Sequence, residues 1–181
     1  MFDRYGVTSR LGLTLLHRHF EIDDNERVVE YGHVSTPWPV PDDGVVSGGH
    51  TVPRSWRFID EKPCAYEYGF NHHGEELYDD KDLPCEFVRD MSRFLGDNGL
   101  ENILGLCTMG HGETDGRVEK TVGRVSITVP LVEIKRDQGS ETIEGLNNHI
   151  PAVWSFDCKV GLESATIKLA RNCLWCAKGN C

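Results

Sequence analysis

The sequence has no uninterrupted apolar stretch approaching the ~20 residues that a membrane-spanning helix needs. It also lacks G-x-S-x-G, a P-loop, G-x-G-x-x-G and H-E-x-x-H, which excludes the commonest hydrolase, nucleotide-enzyme and metalloprotease signatures. No internal repeat, low-complexity segment or linker divides it. Positive charge is scarce: 19 Lys and Arg against 29 Asp and Glu leave a formal charge of −10. That balance disfavours phosphate backbones and anionic membrane surfaces as general partners. No nucleic-acid partner and no stable membrane insertion are therefore expected, whereas a small-molecule ligand or a cation is compatible with the charge. The opening residues, MFDRYGVTSR, lack the charged and then apolar segments of a secretory signal. Seven cysteines, an odd and mostly scattered number, suit free thiols better than a secreted disulfide framework. Both features point to a cytoplasmic protein.

What is present is the composition of one soluble globular domain over residues 1–181, with a hydrophobic fraction of 39% and a mean hydropathy of −0.40. A chain of 181 residues can bury a real core without disulfides or metal. Its tail, residues 171–181, carries Cys173-x-x-Cys176 and Cys181 and is expected to be disordered or loosely packed. One C-x-x-C without a second pair does not make a structural zinc site.

The first half reads as strands separated by turns: RLGLTLLHRHFEI alternates after residue 10, and RVVEYGHVST follows a polar turn. PWPVPDDGVVSGGHTVP has too much Pro and Gly for anything but a long loop. SWRFID and CAYEYGFN form two strands joined by a turn at Glu61-Lys62-Pro63. The principal helix is expected at about 83–95, where Phe87, Met91, Phe94 and Leu95 recur at helical spacing, Pro84 suits the first turn, and Gly96 and Gly99 stop it. NILGLCTM and GRVSITVPLVEI are further strands, with an interior face of Val125, Ile127, Val129 and Leu131 to match Leu11, Leu13 and Leu15. AVWSFDCKVG is another strand, and ATIKLARNCLW is a strand or a short helix. Many strands and one good helix predict an α+β domain, its mainly antiparallel sheet curled or barrel-like.

Candidate chemistry starts at LLHRHFEI. If the strand continues past Leu15, His17, His19 and Glu21 share one face, the arrangement of two imidazoles and a carboxylate that a divalent metal such as zinc or iron wants. If it leaves the core there, the same residues are merely solvated. The His-x-His pair resembles that of cupins, barrels which add a downstream carboxylate and a later third His. The resemblance covers His17, His19 and a carboxylate at Glu21 or Glu26 and is one of architecture, since the later Gly-rich element has no counterpart around His50.

A third imidazole is available at His72 or His73, in FNHHGEELYDD. The acidic run that follows also reads as a solvated loop leading to the helix. His111, Glu113 and Asp115 in MGHGETDG form a secondary loop candidate, although the same composition suits any hairpin loop. Arg54, Arg57 and Trp56 of PRSWRF, with Tyr66 and Tyr68, are candidates for binding substrate. Cys107, four residues before His111, reads more as a buried core thiol than as a nucleophile.

LLHRHF, PRSWRF and the Cys- and Trp-bearing tail are similar to segments of small uncharacterised proteins of filamentous fungi. That resemblance implies a cytosolic protein and carries no catalytic residue with it. Three functions stay open: a small-molecule enzyme holding a divalent metal on His17 and His19 with Glu21 or His72, a metal-free enzyme using a histidine as general acid or base, and a non-catalytic binding module.

Overall fold

The computed structural model describes residues 1–40, 45–46, 49–72, 83–109, 117–130, 150–157 and 166–173. The elements are β1 (Leu11–Leu15), β2 (Glu26–Tyr31), β3 (Val34–Pro39), β4 (Val45–Val46), β5 (Gly49–Ile59), β6 (Lys62–His72), α1 (Cys85–Asp97), β7 (Leu104–Thr108), β8 (Arg117–Val122), β9 (Val125–Pro130), β10 (Ile150–Asp157) and β11 (Thr166–Cys173). All eleven strands belong to one sheet, ordered β4-β5-β6-β2-β3-β9-β8-β11-β10-β1-β7, and a further β5–β7 pairing brings the order back on itself. The sheet is therefore curled and barrel-like. Its pairs are antiparallel except β2–β6 and β8–β11. One helix and a mainly antiparallel curled sheet make this the expected α+β architecture.

Local chemistry explains the departures from the expected elements. GRVSITVPLVEI forms β9 from Val125 to Pro130, and its last four residues lie outside the described residues; Gly123 takes a φ of +60° and turns the chain, so the charged segment RVEKTV pairs with β9 as β8. The β5–β6 turn uses Asp60 and Glu61, both at positive φ, which releases Lys62 and Pro63 into β6. The Pro-rich stretch expected to be a loop gives its first residues to β3 and its last to β5. Strand β3 tolerates Pro37 and Pro39 because it meets β9 only at Val34 and Ser35, so beyond them one edge needs no N–H. The segment around residue 170 is a strand, not a helix. Cys173 ends it, and Cys176 and Cys181 lie outside the described residues.

Helix α1 runs two residues later at each end than expected, because Pro84 is its N-cap, with the extended ψ of 118°. Phe87, Met91 and Leu95 are buried with Phe2, Val7, Leu11, Trp56, Phe58, Leu83 and Leu106 in one core, and Leu13 and Leu104 pack against it. Phe2 stacks on Phe156 at 4.2 Å and meets Phe87 edge-on at 5.2 Å. Phe94, expected to face inward, is 48% exposed. The helix repeat that buries 87, 91 and 95 also buries Ser92, and so turns 94 to solvent. Asp90 is half-buried and accepts a hydrogen bond from Tyr5 Oη at 2.5 Å.

The expected phase of β9 is reversed. Ser126 and Thr128 are buried, whereas Ile127 is 41% exposed, and Leu131 lies outside the described residues. Period-two alternation fixes which residues share a face but not which face turns inward.

Two outcomes follow for stability. Phe87→Ala should cost about 3–5 kcal/mol, while Phe94→Ala and Ile127→Asp should each stay within about 0.5 kcal/mol, as read by chemical denaturation. The hydrogen bond from Tyr5 holds the Asp90 carboxyl below its ordinary range and raises the phenol. The depressed carboxyl adds stability above its unfolded pKa that is lost as pH falls through its folded pKa. The raised phenol adds stability below its unfolded pKa that is lost as pH rises through its folded one. Tyr5→Phe should therefore lower the melting temperature between pH ~5 and ~9, the difference from wild type shrinking as pH falls below the ordinary aspartate range and as it rises above the ordinary tyrosine range.

Candidate functional site

Strand β1 ends at Leu15, so the alternation does not continue into the histidines. The Leu16 N–H donates to the Ile103 carbonyl oxygen at 2.8 Å, and the Leu16 side chain occupies the space left by Gly105, where a Cβ would lie 2.8 Å from Leu16 Cδ2. The chain then bends out of the sheet. His17 and His19 nevertheless stay side by side, with ring centroids 4.6 Å apart and planes at 76°. The expected pairing of the two imidazoles holds, although a bent segment produces it rather than a strand.

The carboxylate does not come from Glu21, which is exposed. It comes from Glu119 on β8: one ligand-type atom each of His17, His19 and Glu119 lie within 4.8 Å of one another. His19 Nε2 stands 3.8 Å from Glu119 Oε1, with the two side chains 4% and 11% exposed. Zinc held tetrahedrally at ~2.1 Å requires donor atoms about 3.4 Å apart, so small side-chain rotations would close this set on an ion. His17 Nδ1 is 2.9 Å from the Leu15 carbonyl oxygen. A carbonyl only accepts, so Nδ1 carries the hydrogen and the neutral ring presents Nε2, a buried atom, as its lone-pair donor. A ring N–H fixed on a backbone carbonyl is the usual way of orienting a metal-binding imidazole.

Arg124 brings the two segments together. It sits in the β8–β9 turn, forms a salt bridge through Nη2 with Glu26 Oε2, and donates from the same nitrogen to the Glu21 carbonyl oxygen at 3.2 Å. The segment after His19 is thereby tied to the hairpin that carries Glu119. Glu26 accepts first from the Asp23 N–H and then from Arg124, and both lower its pKa. That commitment removes Glu26 from the ligand set. Glu21 contributes its backbone, not its carboxylate.

His17, His19 and Glu119 line a cavity of about 20 Å³ together with Arg18, Phe20, Val28, Ser35, Glu67 and Ser126. A volume of ~10–15 Å³ holds one water, so the cavity admits a water or an ion but no organic molecule. Glu67 accepts from Ser55 Oγ at 3.3 Å, and Ser126 and Thr121 share a 2.6 Å hydroxyl contact. Beside the cavity an open depression of about 540 Å³ is lined by Arg18, His19, Phe20, Glu21 and Ile22. Three residues, Arg18, His19 and Phe20, border both spaces. The Arg18 guanidinium lies 4.7 Å from the centroid of the Tyr66 ring. Burial raises the Tyr66 phenol above its ordinary value while the Arg18 charge opposes it.

The other candidates separate. Trp56 is 1% exposed in the helix-packed core and does not line the cavity. Arg57 is exposed, the Arg54 stem lies against Gly69, and Tyr68 packs under Arg27. Tyr66 reaches the site only through Arg18. His72 ends β6 opposite Gly49, and its side chain lies outside the described set. So do His73, His111, Glu113 and Asp115. Cys107 is buried at 7%, as a core thiol. Glu119 went unrecognised because RVEKTV places charge on both faces, so its alternation marks no inward side.

Comparison with protein-family models, with curated proteins and with solved structures finds no match. Among the described residues no helix is long and apolar enough to cross a membrane.

The burial of the pair has a chemical consequence. Diethyl pyrocarbonate should modify the exposed His33 and His50 well before His19, as followed by peptide mass spectrometry. Equal rates at all three would contradict the packing.

Proposed function

We propose that the protein is a divalent-metal-dependent enzyme acting on a small molecule, with His17, His19 and Glu119 as the metal ligands. The observation that carries this reading is the convergence of two imidazoles and one carboxylate, from segments a hundred residues apart, on a cavity sized for an ion or a water. Three protein ligands leave a coordination position open, as in catalytic rather than structural zinc sites. Two imidazoles and one carboxylate suit zinc or iron. Such an ion supplies Lewis acidity or an activated water. Substrate approaches from the adjoining depression, where Arg18, steadied over Tyr66, is placed to orient an anionic group. The chain's net charge of −10 supports a small-molecule rather than a nucleic-acid partner. The free thiols Cys64 and Cys85 support a cytoplasmic location.

The 3.8 Å approach of His19 to Glu119 favours a second reading, in which the pair works as a metal-free general acid and base. Turnover that survives chelation but is lost in His19→Gln would select it. A non-catalytic binding module keeps its ligand when His17 and His19 are both replaced.

The metal reading is tested by elemental analysis and by titrating the chelator-treated protein with Co(II), whose visible absorption reports tetrahedral ligation. One equivalent should bind. His17→Gln/His19→Gln and Glu119→Gln should each weaken binding more than the ~10–100-fold that loss of an outer-shell partner costs. Glu21→Gln and Glu26→Gln should retain the ion. Full retention in Glu119→Gln, or no saturable binding by wild type, would refute the assignment.

A further inference from the structure

On β2 the residues alternate between two faces. Val28 lines the small cavity, so Arg27 points to the reverse face of the sheet. There Arg27 is the direct cross-strand neighbour of Trp38. Its Cζ lies 4.8 Å from the centroid of the Tyr68 ring. Trp38 and Phe70 rings are 5.6 Å apart, and Phe70 and Tyr31 rings 5.5 Å, so the guanidinium borders a run of aromatic side chains. Two of its nitrogens, Nε and Nη2, are buried and have no hydrogen-bond partner among the described residues.

Those two nitrogens are on one edge of the guanidinium, with their N–H bonds parallel, and together make the fork that takes a carboxylate side-on. The Tyr68 ring does not answer that need. The Arg27 Cζ lies over that ring, whose π cloud meets the charge but offers no lone pairs to take the two parallel N–H bonds side by side. A charged donor pair shut off from water and left unmatched is costly. A ligand that supplies two coplanar acceptor oxygens removes the cost.

We propose that Arg27, with Trp38, Phe70 and Tyr68 around it, binds a small aromatic monocarboxylate whose two oxygens sit on the Nε–Nη2 edge. One guanidinium fork matches one negative charge, and the chain's net charge of −10 opposes ligands of higher charge. The flat body of the ligand stacks on the aromatic run. Because the fork is sealed, entry requires one ring to swing aside, and Trp38, half-buried and cross-strand from Arg27, is the ring in position to do so. The site lies on the opposite face of β2 from the metal ligands and does not depend on them.

The probe is benzoate, titrated into the full chain by calorimetry, with the Arg27 side-chain Nε–H resonance followed by ¹⁵N NMR. The same titration on His17→Gln/His19→Gln excludes carboxylate bound to a metal. Benzoate should saturate one site in both proteins and shift the Arg27 resonance, while benzyl alcohol, the same ring without the carboxylate, should not bind. Arg27→Lys keeps the charge but loses the fork, and should bind benzoate at least tenfold more weakly; Arg27→Gln should not bind. Circular dichroism establishes that each variant is folded, and if neither is, the wild-type resonance decides. An unmoved Arg27 resonance, undiminished binding by folded Arg27→Gln, loss of binding in His17→Gln/His19→Gln, or tighter binding of inorganic phosphate than of benzoate would overturn the proposal.

Discussion

Strand β7 is the element on which closure of the sheet depends. It pairs with β1 from Leu104 to Thr108 and with β5 at Leu106 and Cys107, so the last strand in the order meets the second. The approach is close. A Cβ on Gly105 would lie 2.3 Å from the Trp56 carbonyl oxygen, a contact no side chain tolerates. The same strand turns Leu106 into the core against Trp56, Phe87 and Leu11, so hydrogen bonding and apolar burial act on one segment. Helix α1 and the N-terminal residues Phe2 and Val7 complete that core.

The site's position follows from how β1 leaves this arrangement. Gly105 makes room for Leu16, the chain bends, and the two histidines are delivered outside any ladder. Without strand pairing of its own, this segment is held by Arg124, which reaches from the opposite hairpin to Glu21 and Glu26. Glu119 arrives on that same hairpin. One guanidinium in a turn thus ties the histidine segment to the hairpin that carries Glu119, on whose Glu119 face Thr121 and Ser126 share a buried hydroxyl contact.

The two faces of β2, β3 and β9 have different chemistry. One carries Val28, Ser35, Ser126 and Thr128, and it is around these that the small cavity forms. The other carries Arg27, Trp38, Tyr31, Val34 and Ile127, several of them large and exposed. At β9 a polar buried side and an apolar exposed side invert the usual arrangement of a half-buried sheet, while on β2 the second face also buries Val29 completely. That inversion accounts for the reversed phase of β9: counting apolar residues identifies Val125, Ile127 and Val129 as one face and then assigns that face to the wrong side.

The sequence by itself determined the fold class, the helix to within two residues, and most strands. These depend on local rules: period-two and 3.6-residue alternation, proline at a helix start, and glycine at turns. The tertiary structure alone decided that Glu119, not Glu21, lies beside the two histidines, that Trp56 belongs to the core, and that Arg27 carries two donors unmatched among the described residues. Each of these depends on pairings between residues far apart in the chain, on β-bulges at Pro53/Ser55 and Ser55/Trp56 that re-aim side chains, and on which face of the sheet curls inward. Alternation is the same whichever face is buried, so no local pattern encodes that choice. It is made when the strands pair and the sheet closes.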